Sequence, residues 1–109
     1  MIARLANLFF PTPEAHDRAI RVMAEVALPL VQDVAGFVGG YLLAEEGLGK
    51  AVLITLWHGQ EAHDAAISNM EKAMAAIADA GAVIEGPVYS FPTVLGADAR
   101  GVKRPPAGS

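Results

Sequence analysis

The chain has 109 residues, of which 53% are hydrophobic and 18% charged, with a formal net charge of −4 and no cysteine. This length predicts one domain with a single core, and the lack of cysteine excludes disulfides, thiolate catalysis and sulfur-bound metal sites. No apolar run reaches the roughly 20 residues of a membrane helix, and no secretory signal pattern opens the chain, so we expect a cytoplasmic protein without a membrane partner. The acidic character of residues 1–96 argues against a nucleic-acid partner.

The first predicted elements are a strand and a helix. Residues 1–10 are extended in character, with Asn7 as the one uncharged amide among apolar neighbours. Thr12 as N-cap and Pro13 at the first helical position predict the start of helix 1. Pro29 lacks an amide hydrogen and crowds the carbonyl four residues back, so we expect a kink there or two shorter helices. Helical spacing predicts a buried stripe of Ala19, Met23, Val26, Ala27, Leu30 and Val34.

The chain reads best as organised around a hairpin over residues 36–57. Its predicted strands, residues 37–45 and 50–57, flank a short turn in which Gly47 and Gly49 can adopt positive φ. Side chains alternate along a strand, and on the second strand both alternating sets are almost entirely apolar. This pattern predicts a central strand covered on both faces. One set is Val52, Ile54 and Leu56, and the other is Ala51, Leu53, Thr55 and Trp57.

The second half of the chain predicts another helix and another strand. Residues 59–81 are rich in helix-forming residues and end at Gly81, which predicts helix 2. Pro87 and Pro92 each remove a ladder hydrogen bond, so the strand that follows should be an edge strand or a bent strand. Residues 97–109 show no periodicity and are predicted to be a flexible tail behind a folded domain of residues 1–96. The predicted buried stripe of helix 2 is His63, Ala66, Ile67, Met70, Ala73, Met74 and Ile77.

The order of these elements is βαββαβ, which is the ferredoxin-like α+β pattern. Right-handed crossovers place both helices on one face of the antiparallel sheet. The other face of the central strands is also apolar, and leaving it in water would cost roughly 25 cal/mol per Å². We therefore expect a homodimer in which two sheets pack face to face.

Two runs, DVAGFVGGYLLAEE and KAVLITLWHGQEAHDAA, resemble the dimeric α+β-barrel family that includes antibiotic-biosynthesis monooxygenases and small haem-degrading enzymes. Gly36 and Phe37 match the opening of the family's second strand, and Trp57 matches the end of its third. The resemblance implies a dimeric α+β barrel and a cofactor-independent monooxygenase. Its substrate would be a flat aromatic or polyketide-like molecule in an apolar pocket between sheet and helices. The haem degraders hold iron with a histidine further along the second helix, and residues 67–74 contain none.

The candidate catalytic residues are Asn7 and His63. The resemblance implies that Asn7 orients a substrate, whereas a strand-end amide satisfied by the backbone is the plain alternative. His63 is a candidate base, and the alternative is a helix-start histidine without a role in chemistry. Because strands 1 and 3 should be antiparallel, Asn7 and Trp57 should lie on the order of 10 Å or more apart. The candidate substrate-binding residues are Trp57, Tyr41, Met70 and Met74, and each is explained equally well by core packing.

The sequence predicts neither a metal site nor a cofactor. His58 and His63 are five residues apart across a strand-to-helix junction, which is not the spacing that places two ligands on one helical face. His16 lies beside acidic residues and is most simply a surface residue. A second function is therefore equally compatible with the sequence: a non-catalytic dimeric module that binds a small apolar ligand or only assembles.

Overall fold

The structure, a computed structural model, describes residues 1–45, 49–92, 96–98 and 100–103. None of the helices in those ranges combines the length and the apolar character that crossing a bilayer requires. The elements are β1 (Ile2–Phe9), α1 (Pro13–Val22), a π-helical segment (Met23–Ala27), α2 (Leu28–Gln32), β2 (Phe37–Ala44), β3 (Lys50–Trp57), α3 (Gln60–Ala65), α4 (Ile67–Asp79), β4 (Val83–Pro92), β5 (Gly96–Asp98) and β6 (Gly101–Lys103).

Strands β1 to β4 form one antiparallel sheet in the order β2-β3-β1-β4. The helices pack on one face of this sheet, which confirms the predicted ferredoxin-like α+β fold. As predicted from its prolines, β4 is an edge strand. Its pairing with β1 shifts register between Leu5 and Asn7, opposite the part of β4 that contains Pro87. Trp57 pairs with Ile2 at one end of β1, and Asn7 pairs with Val52 towards the other.

The first helical region begins as predicted but is interrupted by a π turn. Thr12 Oγ1 accepts a hydrogen bond of 3.0 Å from the Ala15 amide, and Pro13 is the first helical residue. At the end of the π segment the Leu28 amide donates to the carbonyl of Met23, five residues back. Pro29 follows directly and cannot donate a helical hydrogen bond. The expected interruption at Pro29 therefore takes the form of two short α-helices joined by a wider turn.

The π turn also changes which residues are buried. A wider turn advances each side chain by a smaller angle, so the buried positions recur every four residues. Val26, which was predicted to be buried, is 44% exposed as a result, and this prediction was wrong. The buried residues of this region are Ala15, Ala19, Met23, Ala27 and Val31.

The predicted helix 2 is divided into α3 and α4 at Ala66. Ala66 has φ −92° and ψ −6°, and its amide donates to the carbonyl of His63. No proline or glycine marks this break in the sequence. The predicted stripe is nevertheless confirmed, because its residues are buried or half-buried while Glu61, Asp64 and Glu71 are exposed.

The helix-side core has two clusters. One is built around Leu8, Phe10, Met23 and Ile77, and the other around Ile2, Val31, Trp57 and Met70. The opposite face of the sheet carries no helix, and its apolar side chains are half-buried or exposed. We call this surface the open face. Its large exposed hydrophobic residues are Tyr41, Leu43, Val83, Tyr89 and Phe91.

A β-bulge near the start of β2 changes the predicted faces of that strand. The register of β2 against β3 shifts between Phe37 and Gly39. Phe37 consequently packs on the helix side, with its ring 5.3 Å from that of Trp57 in an edge arrangement. Tyr41 faces the other way, although strict alternation along the strand would place it on the same face as Phe37. A bulge inserts one residue and so reverses the alternation of side chains beyond it. The neighbouring glycines have no side chains from which the position of the bulge could be predicted.

The predicted tail contains a short hairpin, because β5 and β6 pair as antiparallel strands. The glycine and alanine content of this segment gave no alternation from which pairing could be predicted. Residues 99 and 104–109 of the predicted tail lie outside the described residues. The predicted turn residue Gly47 also lies outside them, whereas Gly49 adopts the positive φ that was expected, 72°.

Candidate functional site

Three polar side chains form a row across the middle of the sheet, on the face that carries the helices. Thr55 on β3, Arg4 on β1 and Ser90 on β4 are direct partners in the strand register. Their neighbours on the same face of β1 are the buried residues Ile2, Ala6 and Leu8. We call Thr55, Arg4 and Ser90 the polar row. It interrupts an otherwise apolar surface at the level of α3.

His63 reaches this row from α3. It is 4% exposed, and its Nε2 lies 2.9 Å from Ser90 Oγ and 3.4 Å from Arg4 Nη1. Its Nδ1 lies 2.9 Å from Oδ1 of Asp64. A carboxylate can only accept, so the network assigns the hydrogen to Nδ1 and leaves Nε2 as an acceptor. Gln60 donates to the same Asp64 oxygen at 2.7 Å and holds the carboxylate in place.

Two charged groups near His63 have pKa values below their ordinary ones. The hydrogen bond from His63, followed by that from Gln60, lowers the pKa of Asp64 below its ordinary value. Burial lowers the pKa of Arg4, and the nearby charge of Glu71 partly opposes this effect. Arginine remains protonated in proteins. The site therefore presents a fixed cation and an imidazole acceptor side by side.

A narrow apolar cavity adjoins the polar row. Its volume is about 30 Å³, which is room for roughly two water molecules. Arg4 and Thr55 border it on the sheet side, whereas the other walls are mainly methionine and aliphatic side chains. Met70 and Met74, two predicted substrate-binding residues, line this cavity. Its remaining lining residues are Ala6, Met23, Ala27, Leu28, Val31, Leu53, Ala73 and Val88.

Trp57 is packed in the core beside this cavity and is not part of its lining. The side chain is 0% exposed, and its indole Nε1 donates to Thr55 Oγ1 at 3.0 Å. Thr55 Oγ1 in turn lies 3.9 Å from the sulfur of Met70. The position of Trp57 matches the core-packing alternative, and its predicted contact with a substrate stays a prediction.

The structure does not bring all of the predicted site residues together. His63, Met70 and Met74 lie on the helix side of the sheet, whereas Asn7 is exposed on the open face. Tyr41 is also on the open face and is 57% exposed. Asn7 therefore cannot act on a ligand of the helix-side cavity without a rearrangement of the sheet. The role predicted for each of these residues stays a prediction.

The remaining histidines lie apart from this cluster. His58 is exposed, and His16 packs its ring edge-on to Phe10 while Nδ1 contacts Asp17 at 3.1 Å. Within the described residues, no three His, Asp or Glu side chains gather closely enough to hold a metal ion.

Sequence reasoning missed Arg4 and Ser90 as members of the site. The alternation along β1 placed Arg4 on the face of Ala6 and Leu8, which was a signal of a charged residue among buried ones. Ser90 gave a weaker signal, because its partner Arg4 follows only from the register between β1 and β4.

Comparisons with proteins of known sequence and structure give a clear result for the fold only. No protein-family model matches the chain, and no curated protein sequence matches it. The solved structure of SnoaB, a cofactor-independent oxygenase from Streptomyces nogalater, superposes with a TM-score of 0.67 at 19% identity. The matched region covers 84% of this chain and 91% of SnoaB. This chain has the fold of the antibiotic-biosynthesis monooxygenases.

Two further structures with this fold support the assignment. A putative antibiotic biosynthesis monooxygenase from Deinococcus radiodurans matches with a TM-score of 0.68 at 10% identity, over 85% of this chain and 92% of that one. The ActVA-Orf6 monooxygenase of Streptomyces coelicolor, solved in complex with Nanaomycin D, matches with a TM-score of 0.63 at 12% identity. That match covers 95% of this chain and 86% of the Streptomyces protein. The monooxygenase-like fold that the sequence resemblance implied is thus confirmed.

Proposed function

We propose that this protein is a cofactor-independent monooxygenase for flat phenolic or polyketide-like aromatic molecules. The observation that carries the proposal is the contact of His63 with Arg4, whose side chain borders the apolar cavity, although His63 itself is not among the lining residues. The fold shared with SnoaB and ActVA-Orf6 supports the reaction class. The proposed site is the helix-side cavity with the polar row, which keeps the predicted His63, Met70 and Met74.

The proposed reaction begins with the loss of a substrate proton to His63 Nε2. Asp64, on Nδ1, then lies opposite the positive charge that forms on the ring, and the Arg4 guanidinium faces the substrate's negative oxygen. An electron-rich anion of this kind can react with O₂ without a cofactor. For an anthrone, the ring CH₂ becomes a carbonyl, one oxygen atom is retained, and the other leaves in water. The apolar walls would exclude solvent from the anion.

This proposal requires the cavity to open. An apolar cavity of about 150 Å³ holds a benzene ring, and the cavity seen here has a volume of about 30 Å³. Three of its walls are the methionines Met23, Met70 and Met74. Methionine side chains are unbranched and adopt alternative rotamers readily. We expect these side chains to move when an aromatic ligand enters.

Oxygen uptake with an anthrone or a naphthol substrate tests the proposed chemistry. We expect uptake by the native protein and a loss of roughly 10²-fold or more in His63→Gln, which removes the base with little change in volume. His16→Gln is the matched control, because His16 is a half-exposed histidine outside the cavity. No uptake across a panel of such substrates, or full activity in His63→Gln, would contradict the proposal.

Asn7 provides a second control on where the site lies. On the proposed helix-side site, Asn7→Ala leaves uptake unchanged, because this side chain is on the open face. A loss of uptake in Asn7→Ala with normal activity in His63→Gln would instead place the chemistry on the open face, beside Asn7 and Tyr41.

We also propose a homodimer in which the open faces pack together. The exposed side chains of Tyr41, Leu43, Tyr89 and Phe91 form the apolar surface that supports it, since large exposed apolar patches mark interaction sites. Leu43→Lys places a charge in this surface and should give monomers in sedimentation velocity. Val26→Lys, at an exposed apolar residue on the helical side, is the matched control and should leave the dimer intact. A native monomer at micromolar concentration would refute the dimer.

The second candidate function is a non-catalytic dimeric module. The small volume of the cavity favours it, because about 30 Å³ gives no room for a substrate in the structure as it stands. A native dimer that shows no oxygen uptake across the aromatic panel would support this alternative over the monooxygenase. A saturable fluorescence change of Trp57 would then indicate a ligand-binding module, and its absence a module that only assembles.

A further inference from the structure

We propose that Ser90 is a nucleophile and that this protein transfers acyl groups from small carboxylic esters to water. The observation is a continuous relay of hydrogen bonds, from Ser90 Oγ to His63 Nε2 at 2.9 Å and from His63 Nδ1 to Asp64 Oδ1 at 2.9 Å. A hydroxyl, an imidazole and a carboxylate in this order are the parts that convert serine into a nucleophile.

The fold holds each part of this relay independently. Ser90 is fixed by the pairing of β4 with β1, where it is the direct partner of Arg4. His63 is held by burial in α3, and Asp64 is held by Gln60. The three groups therefore do not depend on a ligand for their alignment.

The solvent exposure of the serine and the histidine also suits acyl transfer. Ser90 is exposed, so an ester can approach its hydroxyl from outside, whereas the imidazole behind it is buried. Val88, two residues earlier on the same edge strand, lines the apolar cavity. Ser90 and His63 are not among the residues that line this narrow cavity, so we propose only a short acyl group such as acetyl, with the alcohol part in solvent.

The reaction proceeds in two balanced steps. In the first, Ser90 Oγ bonds to the ester carbonyl carbon and gives its proton to His63 Nε2. The bond from that carbon to the alcohol oxygen breaks, the alcohol leaves with the proton from Nε2, and an acyl ester of Ser90 remains. In the second, water attacks the acyl carbon by the same path, which restores Ser90 and releases the carboxylic acid. No oxidant or reductant is needed.

Arg4 is the group placed to stabilise the negative oxygen that forms in each step. Its Nη1 lies 3.4 Å from His63 Nε2, the atom that also receives the serine proton. The guanidinium and the Ser90 hydroxyl are therefore both next to Nε2. Ser90 lies inside a strand, and its backbone is engaged in pairing with Arg4 rather than directed at a substrate. With one side-chain cation in place of a pair of backbone donors, we expect slow turnover and a longer-lived acyl intermediate.

The test is a burst experiment with p-nitrophenyl acetate, followed by mass spectrometry of the acylated protein. We expect release of p-nitrophenolate in an initial phase of nearly one equivalent per chain, with the acetyl group located on the peptide that contains Ser90. A fluorophosphonate probe should label the same peptide. Ser90→Ala should abolish both signals, and His63→Gln should slow the burst by roughly 10²-fold or more.

Ser68→Ala is the matched control, because Ser68 is an exposed serine on α4 and should leave burst and labelling unchanged. Thermal melts confirm that each variant is folded. Absence of a burst and of labelling in the folded native protein, or persistence of both in Ser90→Ala, overturns the proposal. Acyl transfer needs no oxygen, so the assay is run anaerobically and its outcome is independent of the monooxygenase proposed above.

Discussion

The hydrogen bond between Trp57 and Thr55 allows a quantitative test of what stabilises the core next to the polar row. Trp57 is fully buried, and its indole Nε1 donates a hydrogen bond of 3.0 Å to the hydroxyl oxygen of Thr55. Thr55→Val keeps the shape of the side chain and removes that acceptor. The buried N–H then has no partner, which costs about 1–3 kcal/mol. For a domain of this size, at about 4 °C per kcal/mol, we expect the melting temperature to fall by roughly 4–12 °C.

A double-mutant cycle isolates this hydrogen bond from other effects of the substitution. In Trp57→Phe the indole hydrogen is absent, so Thr55→Val should change the stability of that background by less than about 0.5 kcal/mol. The coupling energy between the two positions should therefore be about 0.5–3 kcal/mol. Any loss that remains in the Trp57→Phe background reports the weaker contact of Thr55 with Met70.

The measurements are chemical denaturation curves of the four proteins, followed by tryptophan fluorescence where Trp57 is present and by circular dichroism in all four. An equal loss of stability from Thr55→Val in both backgrounds would refute the reasoning, because the loss would then not involve the indole hydrogen. A Thr55→Val protein as stable as the native one would refute it as well.

Two further predictions concern a glycine and a carboxylate. Gly36 has φ 89°, and a Cβ there would overlap that of Ala62, whereas Gly86 has φ 69° and open space around it. Gly36→Ala should therefore destabilise the fold by more than the roughly 1–2 kcal/mol of backbone strain that Gly86→Ala alone should show, and thermal melts of the two variants compare them directly. The hydrogen bond from His63 lowers the folded pKa of Asp64 below its unfolded value near 4. The stability that this carboxylate adds is thus complete above about pH 4 and is lost as the pH falls through the folded pKa. Urea unfolding curves of the native protein and of Asp64→Asn should therefore differ at about pH 6 and converge in acid.

The parts of the fold that follow from periodicity were predictable. Alternation along β1 and β3 correctly separated the helix-side residues from those of the open face, and the stripe through His63, Met70 and Ile77 was correct. Periodicity fails where the backbone inserts a residue. The bulge near Phe37 and the π turn before Pro29 each change which face the following side chains occupy. Neither irregularity can be recognised unambiguously from the neighbouring sequence.

The candidate site was harder to predict than the fold because its contacts join distant segments. Ser90 and His63 are 27 residues apart, and Arg4 and His63 are 59 apart, yet each pair meets through one side-chain contact. Such contacts depend on the exact register of β4 against β1. His63 was found because a helical stripe predicts burial, whereas Ser90 carried no pattern of its own. Asn7 was selected through family resemblance, and resemblance carried no information about which face of the sheet it occupies here.

The polar groups beside the helix-side cavity bear on our proposal that this cavity has a function. A buried face that serves only stability is best filled with apolar side chains, because burying a polar group costs free energy unless it is hydrogen-bonded. Thr55 has such a structural reason, since it satisfies Trp57. His63 has no such reason, because it is buried at a position of the apolar stripe and its Nε2 lies next to the half-buried Arg4 and the exposed Ser90. An aliphatic residue at position 63 would fill the stripe without burying a polar group. We propose that binding or catalysis beside the apolar cavity accounts for the buried imidazole at this position.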